Sequence, residues 1–161
     1  MSVFKSQFSR ALEVIRSDNA DIPFPNEIKS GTNTSAVTNQ LVDSTGNFIN
    51  LNVKTGDIVY NITDQTAATV VSVTSATVIV LNANIFAATA KSYIIYEASS
   101  QSTIGNRGCN LYIGGAGNVR VTTIGGDIVT FTATPVGQVL PVQVIKVHLA
   151  GTSATLIDAL W

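Results

Sequence analysis

The sequence is poor in charge: Asp, Glu, Lys and Arg make up 12% of its 161 residues, against a usual level of about 25%. Hydrophobic residues nevertheless reach 45%, and the formal net charge is −1. This balance excludes disorder, which needs low hydrophobicity and high net charge. The nine Lys and Arg residues are scattered and form no basic stripe, so we expect no nucleic-acid partner. A surface with so little charge is typical of a protein partly covered by partners.

The chain has a single cysteine, Cys109, and a single histidine, His148. One cysteine excludes a disulfide within the chain, and these two residues alone cannot build a zinc site. Cys109 begins a predicted strand, which favours the role of a small buried apolar residue. His148 lies in another predicted strand without a Ser or Cys nucleophile motif nearby, so we interpret it as a side chain that faces a neighbour or solvent.

Long hydrophobic runs are also missing. The longest, such as VIVL at 78–81, have the length of a strand and are too short for a transmembrane helix. Charged residues, among them Lys5 and Arg10, interrupt the apolar core that a secretory signal at the N-terminus would need. We therefore expect no membrane partner and synthesis in a cytoplasm.

Helical periodicity is absent after residue 16, and short segments rich in Val, Ile, Thr and Tyr take its place. They recur about every 8–12 residues between turn signals, which predicts an all-β fold built as a sandwich or barrel. The predicted strands lie within 34–44, 53–63, 67–74, 76–82, 91–98, 109–115, 118–124, 127–134, 139–151 and 153–161.

The two ends of the chain carry aromatic residues. Residues 1–10 allow either an amphipathic helix or an extended arm, and the proline-containing loop after residue 16 favours an arm followed by a strand. Aromatics in such an arm commonly reach a neighbouring chain, so Phe4 and Phe8 are candidate inter-subunit contacts, with self-packing as an equal alternative. Trp161 ends an apolar strand and must be docked, in the core or against another subunit.

The glycine-rich stretch GGAGNVRVTTIGGD at 114–127 raises the question of a phosphate loop. Such a loop needs G-x-x-x-x-G-K-[ST], or G-x-G-x-x-G at the start of a helix. Here no third glycine follows Gly115 and Gly117, and the β-branched run at 119–123 predicts a strand in place of the helix. We therefore predict two tight hairpin turns, at 114–118 and 125–127, because glycine accepts a positive φ without steric cost.

The acidic residues do not indicate a metal or catalytic site either. Asp18, Asn19 and Asp21 lack the spacing of a calcium loop and instead predict an Asx-turn. Other aspartates lie in turn signals, and nothing singles out a pair for acid–base chemistry. We therefore expect no catalytic residue, no cofactor-binding residue, no metal ligand and no cofactor, and we interpret the protein as a non-enzyme.

The second half of the chain has a pattern of turn and core positions. It runs through LYIG at 111–114, GGD at 125–127 and LPV at 140–142, and closes with GT at 151–152 and the final Trp161. This pattern resembles a family of small β proteins of tailed-phage particles, which are base subunits of head spikes or capsid decoration subunits. In that family a strand ending in a Ser-Asp turn precedes the Leu-Tyr-Ile-Gly segment, and ALEVIRSD at 11–18 matches that strand.

Residues 29–100 depart from this pattern. The segments LVDSTGNFINLNVKTGDIVYN and ATVVSVTSATVIVLNANIF are similar to a small β-barrel module that recurs in phage structural proteins. The resemblance therefore implies an N-terminal arm at 1–10, a discontinuous β-sandwich domain made of 11–28 and 101–161, and an inserted small β-barrel domain at 29–100.

The same resemblance implies a structural virion protein of a tailed bacteriophage. Such a protein would decorate or cement the capsid, or form the base of a head spike or fibre. Its partners would be the major capsid protein or other virion proteins, and copies of itself in a trimer or vertex pentamer. The alternatives are a neck or tail protein of the same fold, and a host-carbohydrate-binding module that would expose the tyrosines on one face. Those tyrosines are Tyr60, Tyr93, Tyr96 and Tyr112.

Overall fold

The computed structural model describes residues 8–98 and 108–161 of the chain. Within these ranges the fold contains strands and turns but no helix, so the all-β prediction is confirmed. The strands form three sheets. In chain order they are β1 (Ala11–Glu13), β2 (Glu27–Thr32), β3 (Gln40–Val42), β4 (Ile58–Asn61), β5 (Thr66–Ser75), β6 (Val78–Leu81), β7 (Ser92–Tyr96), β8 (Asn110–Gly115), β9 (Gly117–Thr123), β10 (Ile128–Thr134), β11 (Gln138–Val139), β12 (Val144–Val147) and β13 (Thr155–Leu160).

Two of the sheets form a β-sandwich. The four-stranded sheet has the order β1-β13-β8-β11, and the three-stranded sheet has the order β10-β9-β12. A single apolar core joins them, with Leu111 of β8 and Ile157 of β13 in one cluster with Val121 of β9. The two sheets are also connected by a bridge between Cys109 and Val144. Although β1 lies far from the other strands in sequence, it belongs to this sandwich because it pairs with β13.

The strands between residues 27 and 96 form a six-stranded sheet with the order β2-β7-β4-β5-β6-β3. This sheet curls as a half-barrel around a core of its own, which includes Phe48, Phe86 and Tyr93. Its two edges approach each other where Ser35, just after β2, bridges Val42 of β3. The structure adds one strand, β2, to the five predicted in this segment. The sheet they form is a half-barrel, and this bridge connects its two edges.

The segment between β1 and β2 packs the sandwich against the half-barrel. Ile15 and Ala20 of this segment are buried in one cluster with Tyr60 and Ala67 of the half-barrel. The hydroxyl of Ser17 donates a hydrogen bond of 2.9 Å to the carbonyl of Ala67. The sandwich and the half-barrel therefore contact each other through apolar side chains and one buried hydrogen bond.

The glycine-rich stretch is where the chain crosses from one sheet of the sandwich to the other. β8 ends at Gly115 and β9 begins at Gly117, but β8 pairs with β11 and β13 whereas β9 pairs with β10 and β12. The first predicted hairpin is therefore wrong. The second is confirmed: β9 and β10 are paired, Gly126 has a φ of +95°, and Thr123 donates its N–H to the carbonyl of Asp127.

Candidate interaction surface

The structure places the candidate contact residues of the two chain ends differently. Phe4 lies outside the described residues. Phe8 is 42% exposed, and the two residues after it donate backbone hydrogen bonds to the carbonyl of Trp161. The Trp161 ring packs against the sandwich core and meets the ring of Phe24 edge to face, with the centroids 5.9 Å apart. Trp161 therefore contributes to the core of its own chain.

We expect Trp161→Ala to lower the free energy of unfolding by about 2–3 kcal/mol, because it removes a large ring from the core and from its contact with Phe24. Phe8→Ala is the matched control. It removes an exposed aromatic and should change stability by less than about 0.5 kcal/mol. Urea unfolding followed by circular dichroism measures both. Equal losses in the two variants would contradict the docking of Trp161 in its own sandwich.

The sandwich is uncovered where β10 and β11 form the edges of its two sheets. Val129 and Phe131 of β10 lie opposite Val121 and Val119 of β9, which are fully buried. Cross-strand partners share one face of a sheet, so Val129 and Phe131 point to the interior of the sandwich. Val129 is nevertheless 41% exposed and Phe131 is only partly buried. The neighbouring edge strand, β11, is only two residues long and gives them little cover.

A cavity lies between these two edge strands. Phe131 and Thr134 line it from β10, and Gln138 and Leu140 line it from β11 and the residue that follows. Both edge strands therefore face one common opening, which we call the open side of the sandwich. Two exposed apolar side chains belong to the open side: Val129, which points into the opening, and Val136, in the loop between the two edge strands. Ile128 and Val139 are also exposed, but they alternate with inward-facing residues and lie on the outer faces of the two sheets.

The open side carries no charge. Residues 128–145 are an eighteen-residue stretch without Asp, Glu, Lys, Arg or His, and they include both edge strands. Proteins usually protect an edge strand with charged side chains, proline or a bulge. β10 has only an irregularity in register between Phe131 and Thr134. Its regular part, Ile128–Phe131, therefore exposes apolar side chains without a charge among them, and an exposed apolar edge is a candidate for contact with another polypeptide.

His148 directly follows β12 and lies between two polar partners. Its Nε2 is 2.8 Å from the hydroxyl of Thr122, and its Nδ1 is 3.3 Å from a carboxylate oxygen of Asp18. This order of hydroxyl, imidazole and carboxylate has the outline of a nucleophile–base triad. Thr122, however, lies on the central strand β9, whose backbone pairs with β10 and β12, so the amides around it do not supply an oxyanion hole. His148 thus faces its neighbours as predicted, but it lies one residue beyond β12 and not within a strand.

The polar turn after β1 differs from its prediction. Asp18 does not make the local Asx-turn bond that the sequence predicts, because its carboxylate accepts a hydrogen bond of 3.2 Å from the N–H of Ala150. The local turn bond is made instead by the hydroxyl of Ser17, which accepts from the N–H of Asn19 at 3.0 Å. Asp18 and His148 thus tie this segment to the chain beyond β12.

Cys109 is buried, as the sequence predicts, with its Sγ 3.5 Å from the carbonyl of Val144. Burial raises the pKa of the Cys109 thiol to about 12, so the reactive thiolate is disfavoured at neutral pH. In the described part of the chain no group of three or more His, Cys, Asp or Glu side chains could hold a metal ion. Nor does any helix within residues 8–98 and 108–161 have the length and hydrophobicity to cross a membrane.

The tyrosines do not share an exposed face. Tyr60 and Tyr93 are buried in the half-barrel, and Tyr96 is half-buried with its ring edge to face against Tyr60, at 5.5 Å between centroids. Tyr112 is exposed on β8 of the sandwich. The carbohydrate platform that would combine these four tyrosines on one face is therefore not formed.

No family model, curated protein or solved structure matches the chain. The function is therefore inferred from the open side and from the residues themselves. The sequence predicts contacts at the chain ends and does not predict the open side. The charge-free run at 128–145 does not single it out, because residues 65–90 of the half-barrel form a longer one.

Proposed function

We propose that this chain is a structural protein of a tailed-phage particle, where it decorates or cements the capsid or forms the base of a head spike. The observation that carries the proposal is the uncovered, charge-free open side of the sandwich. The resemblance of the second half of the chain to small β proteins of tailed phages supports its assignment to a tailed-phage particle. The proposed activity is binding, to copies of the chain and to virion proteins such as the major capsid protein.

The chemistry of the open side suits permanent assembly. Covering exposed Val129 and Val136 removes apolar surface from water, which stabilises a contact by about 25 cal/mol for each Å². An uncharged surface loses no ion hydration when it is covered, and salt screens its contacts little. The unpaired edge of β10 offers backbone hydrogen bonds in addition. A contact of this kind should persist at high ionic strength.

The composition of phage particles tests this proposal directly. Particles produced by the genome that encodes the chain should contain it in a fixed stoichiometry after density-gradient purification in high salt, as measured by quantitative mass spectrometry. Antibody labelling in electron micrographs then gives its place. Label on the capsid face or vertex supports decoration or a spike base. Label on the neck or tail would instead identify a neck or tail protein. Absence from purified particles contradicts the proposal.

Two exposed valines make a matched pair for testing the surface. Val129 lies on the open side, whereas Val71 is similarly exposed on β5 of the half-barrel. We expect Val129→Lys to reduce incorporation into particles about tenfold or more, because covering the open side would bury an unpaired charge. Val71→Lys should be incorporated as the wild type is. Equal incorporation of the two variants would show that the open side is not the binding surface.

A further inference from the structure

We propose that a second copy of this chain covers the open side, with the two β10 strands paired antiparallel about a two-fold axis at Thr130. The inference rests on the proposed function and deepens it by naming the contact between copies. The pairing would join the two three-stranded sheets into one continuous sheet with the order β12-β9-β10-β10-β9-β12.

The outer backbone edge of β10 has a defined set of free groups. The carbonyl of Asp127 accepts a hydrogen bond from the last residue of β9, and Arg120, opposite Thr130, directs its carbonyl to the β12 side of β9. Backbone direction alternates from residue to residue along an antiparallel pair. The N–H and C=O groups of Ile128 and Thr130 therefore point away from β9, where no strand of the described chain lies beside them. Thr132, the next residue in this alternation, lies within the register irregularity that begins after Phe131.

These outward groups are self-complementary in one register. With the axis at Thr130, that residue exchanges two hydrogen bonds with its own copy, and Ile128 does the same with Thr132 of the second copy. The regular part of β10 in this register is Ile128–Phe131, and Thr132 lies at the start of the irregularity, one residue before Ala133, where φ is +51°. A two-fold axis at Thr130 thus uses every outward group of this regular segment.

The side chains fit the same register. Val129 comes to lie opposite Phe131 of the second copy, in a non-hydrogen-bonded position where side chains approach most closely. An aromatic ring against a β-branched side chain is a favourable cross-strand pair. Both residues point to the sandwich interior and are incompletely covered within one chain. The second copy supplies the cover that the short strand β11 does not.

Charge favours a second copy over a charged partner. Residues 128–145 carry no charge, so two copies meet without repulsion along this surface. The antiparallel register also keeps the Asp127 carboxylates of the two copies at opposite ends of the paired strands. A charged segment from another protein would lose hydration against a surface that offers no counter-charge. The pairing predicts a dimer or an even-numbered oligomer, in contrast to the trimer or pentamer implied by the resemblance.

Substitutions at Thr130 test the pairing in the full-length chain. Thr130→Pro removes an outward N–H and spares the ladder to β9, because proline is tolerated where an edge N–H faces solvent. Thr130→Lys places two like charges opposite each other across the axis. Thr89→Lys, at an exposed threonine in a loop of the half-barrel, is the matched control. Circular dichroism and thermal unfolding verify that each variant is folded.

Light scattering coupled to size-exclusion chromatography measures the result. We expect the mass of two chains, or an even multiple of it, for the wild type and Thr89→Lys, and dimerisation weakened about tenfold or more in both Thr130 variants. Thr130→Cys should also cross-link to its own copy with a short bis-maleimide, because Cα atoms of such a pair lie about 5.5 Å apart. Thr89→Cys should not cross-link, and Cys109 is buried.

Three results would overturn the pairing: a single-chain mass for the wild type at about 100 µM, where even a weak complex would form, a dimer that survives in both Thr130 variants, or a dimer that is lost only when residues 1–7 are deleted. The last result would assign the contact between copies to the N-terminal arm.

Particle composition separates this inference from the proposed function. If the chain forms a dimer through β10 but is absent from particles, only the proposed function is contradicted. If the chain is monomeric but present on particles, only the pairing is contradicted.

Discussion

Gly114→Ala should lower the free energy of unfolding by about 2–3 kcal/mol, whereas Gly125→Ala in the neighbouring turn should change it by less than about 0.5 kcal/mol. A Cβ at Gly114 would lie 2.6 Å from the carbonyl oxygen of Leu156 and 2.8 Å from its Cβ. Strand β13 is hydrogen-bonded to β8 along this stretch and cannot move away without breaking the ladder. A Cβ at Gly125 would meet its nearest atom, a carboxylate oxygen of Asp127, at an ordinary contact of 3.5 Å.

Denaturant unfolding measures this difference in the free energy of unfolding between the two variants. The steric contacts behind it explain why the stretch contains glycines. The backbone of β13 and of the residues before it passes directly over Gly114, Gly115 and Gly117, and at Gly117 a Cβ would lie 2.6 Å from the backbone nitrogen of Ala154. The glycines therefore allow a close approach of two backbones where the chain changes sheets. Equal stability of Gly114→Ala and Gly125→Ala would contradict this close packing.

Asp43→Ala should lower the free energy of unfolding by about 3 kcal/mol at neutral pH, because it removes three hydrogen bonds to a buried charge. One carboxylate oxygen of Asp43 accepts from the Tyr93 hydroxyl at 2.6 Å, and the other accepts from the N–H and hydroxyl of Thr45, both at 2.8 Å. Asp43 and Tyr93 are each 1% exposed. Truncation would leave the tyrosine hydroxyl without its acceptor in the core of the half-barrel. Equilibrium unfolding in urea at pH 7 gives the loss.

Tyrosine-to-phenylalanine variants isolate the hydroxyl and keep the ring. Tyr93→Phe should cost about 1.5–3 kcal/mol, since a hydrogen bond to a charged acceptor is lost and Asp43 stays buried. Tyr112→Phe removes the hydroxyl of an exposed tyrosine and should cost less than about 0.5 kcal/mol. Similar losses in the two variants would contradict a stabilising role for the buried pair.

The cost of Tyr93→Phe should depend on pH. Burial raises the pKa of Asp43, but hydrogen bonds from Tyr93 and Thr45 outweigh it, so this pKa lies below its ordinary value. A carboxylate with a lowered folded-state pKa stabilises the fold above its unfolded pKa, about 3.9, and loses that stabilisation as pH falls through the folded value. The stability difference between wild type and Tyr93→Phe should therefore be full at pH 7 and shrink below about pH 4. A difference that grows in acid would contradict this.

The amino-acid sequence by itself determined the local features of this protein. β-branched segments separated by turn residues specify strands whatever lies beside them, so the all-β class and the turn at Gly125–Asp127 could be predicted. The burial of Cys109 followed in the same way, because a small apolar side chain in a strand belongs inside. These features depend on a residue and its near neighbours in the chain.

Only the tertiary structure decided which strands pair and which surfaces remain uncovered. Two glycine-separated strands can form a hairpin or cross between sheets, and the close approach of residues 153–156 selected the crossing at Gly115–Gly117. The position of Trp161 beside Phe24, and the uncovered face of Val129, depend on strands far away in sequence. Strand pairing and burial are sums over contacts between distant segments, and local propensity carries little information about them.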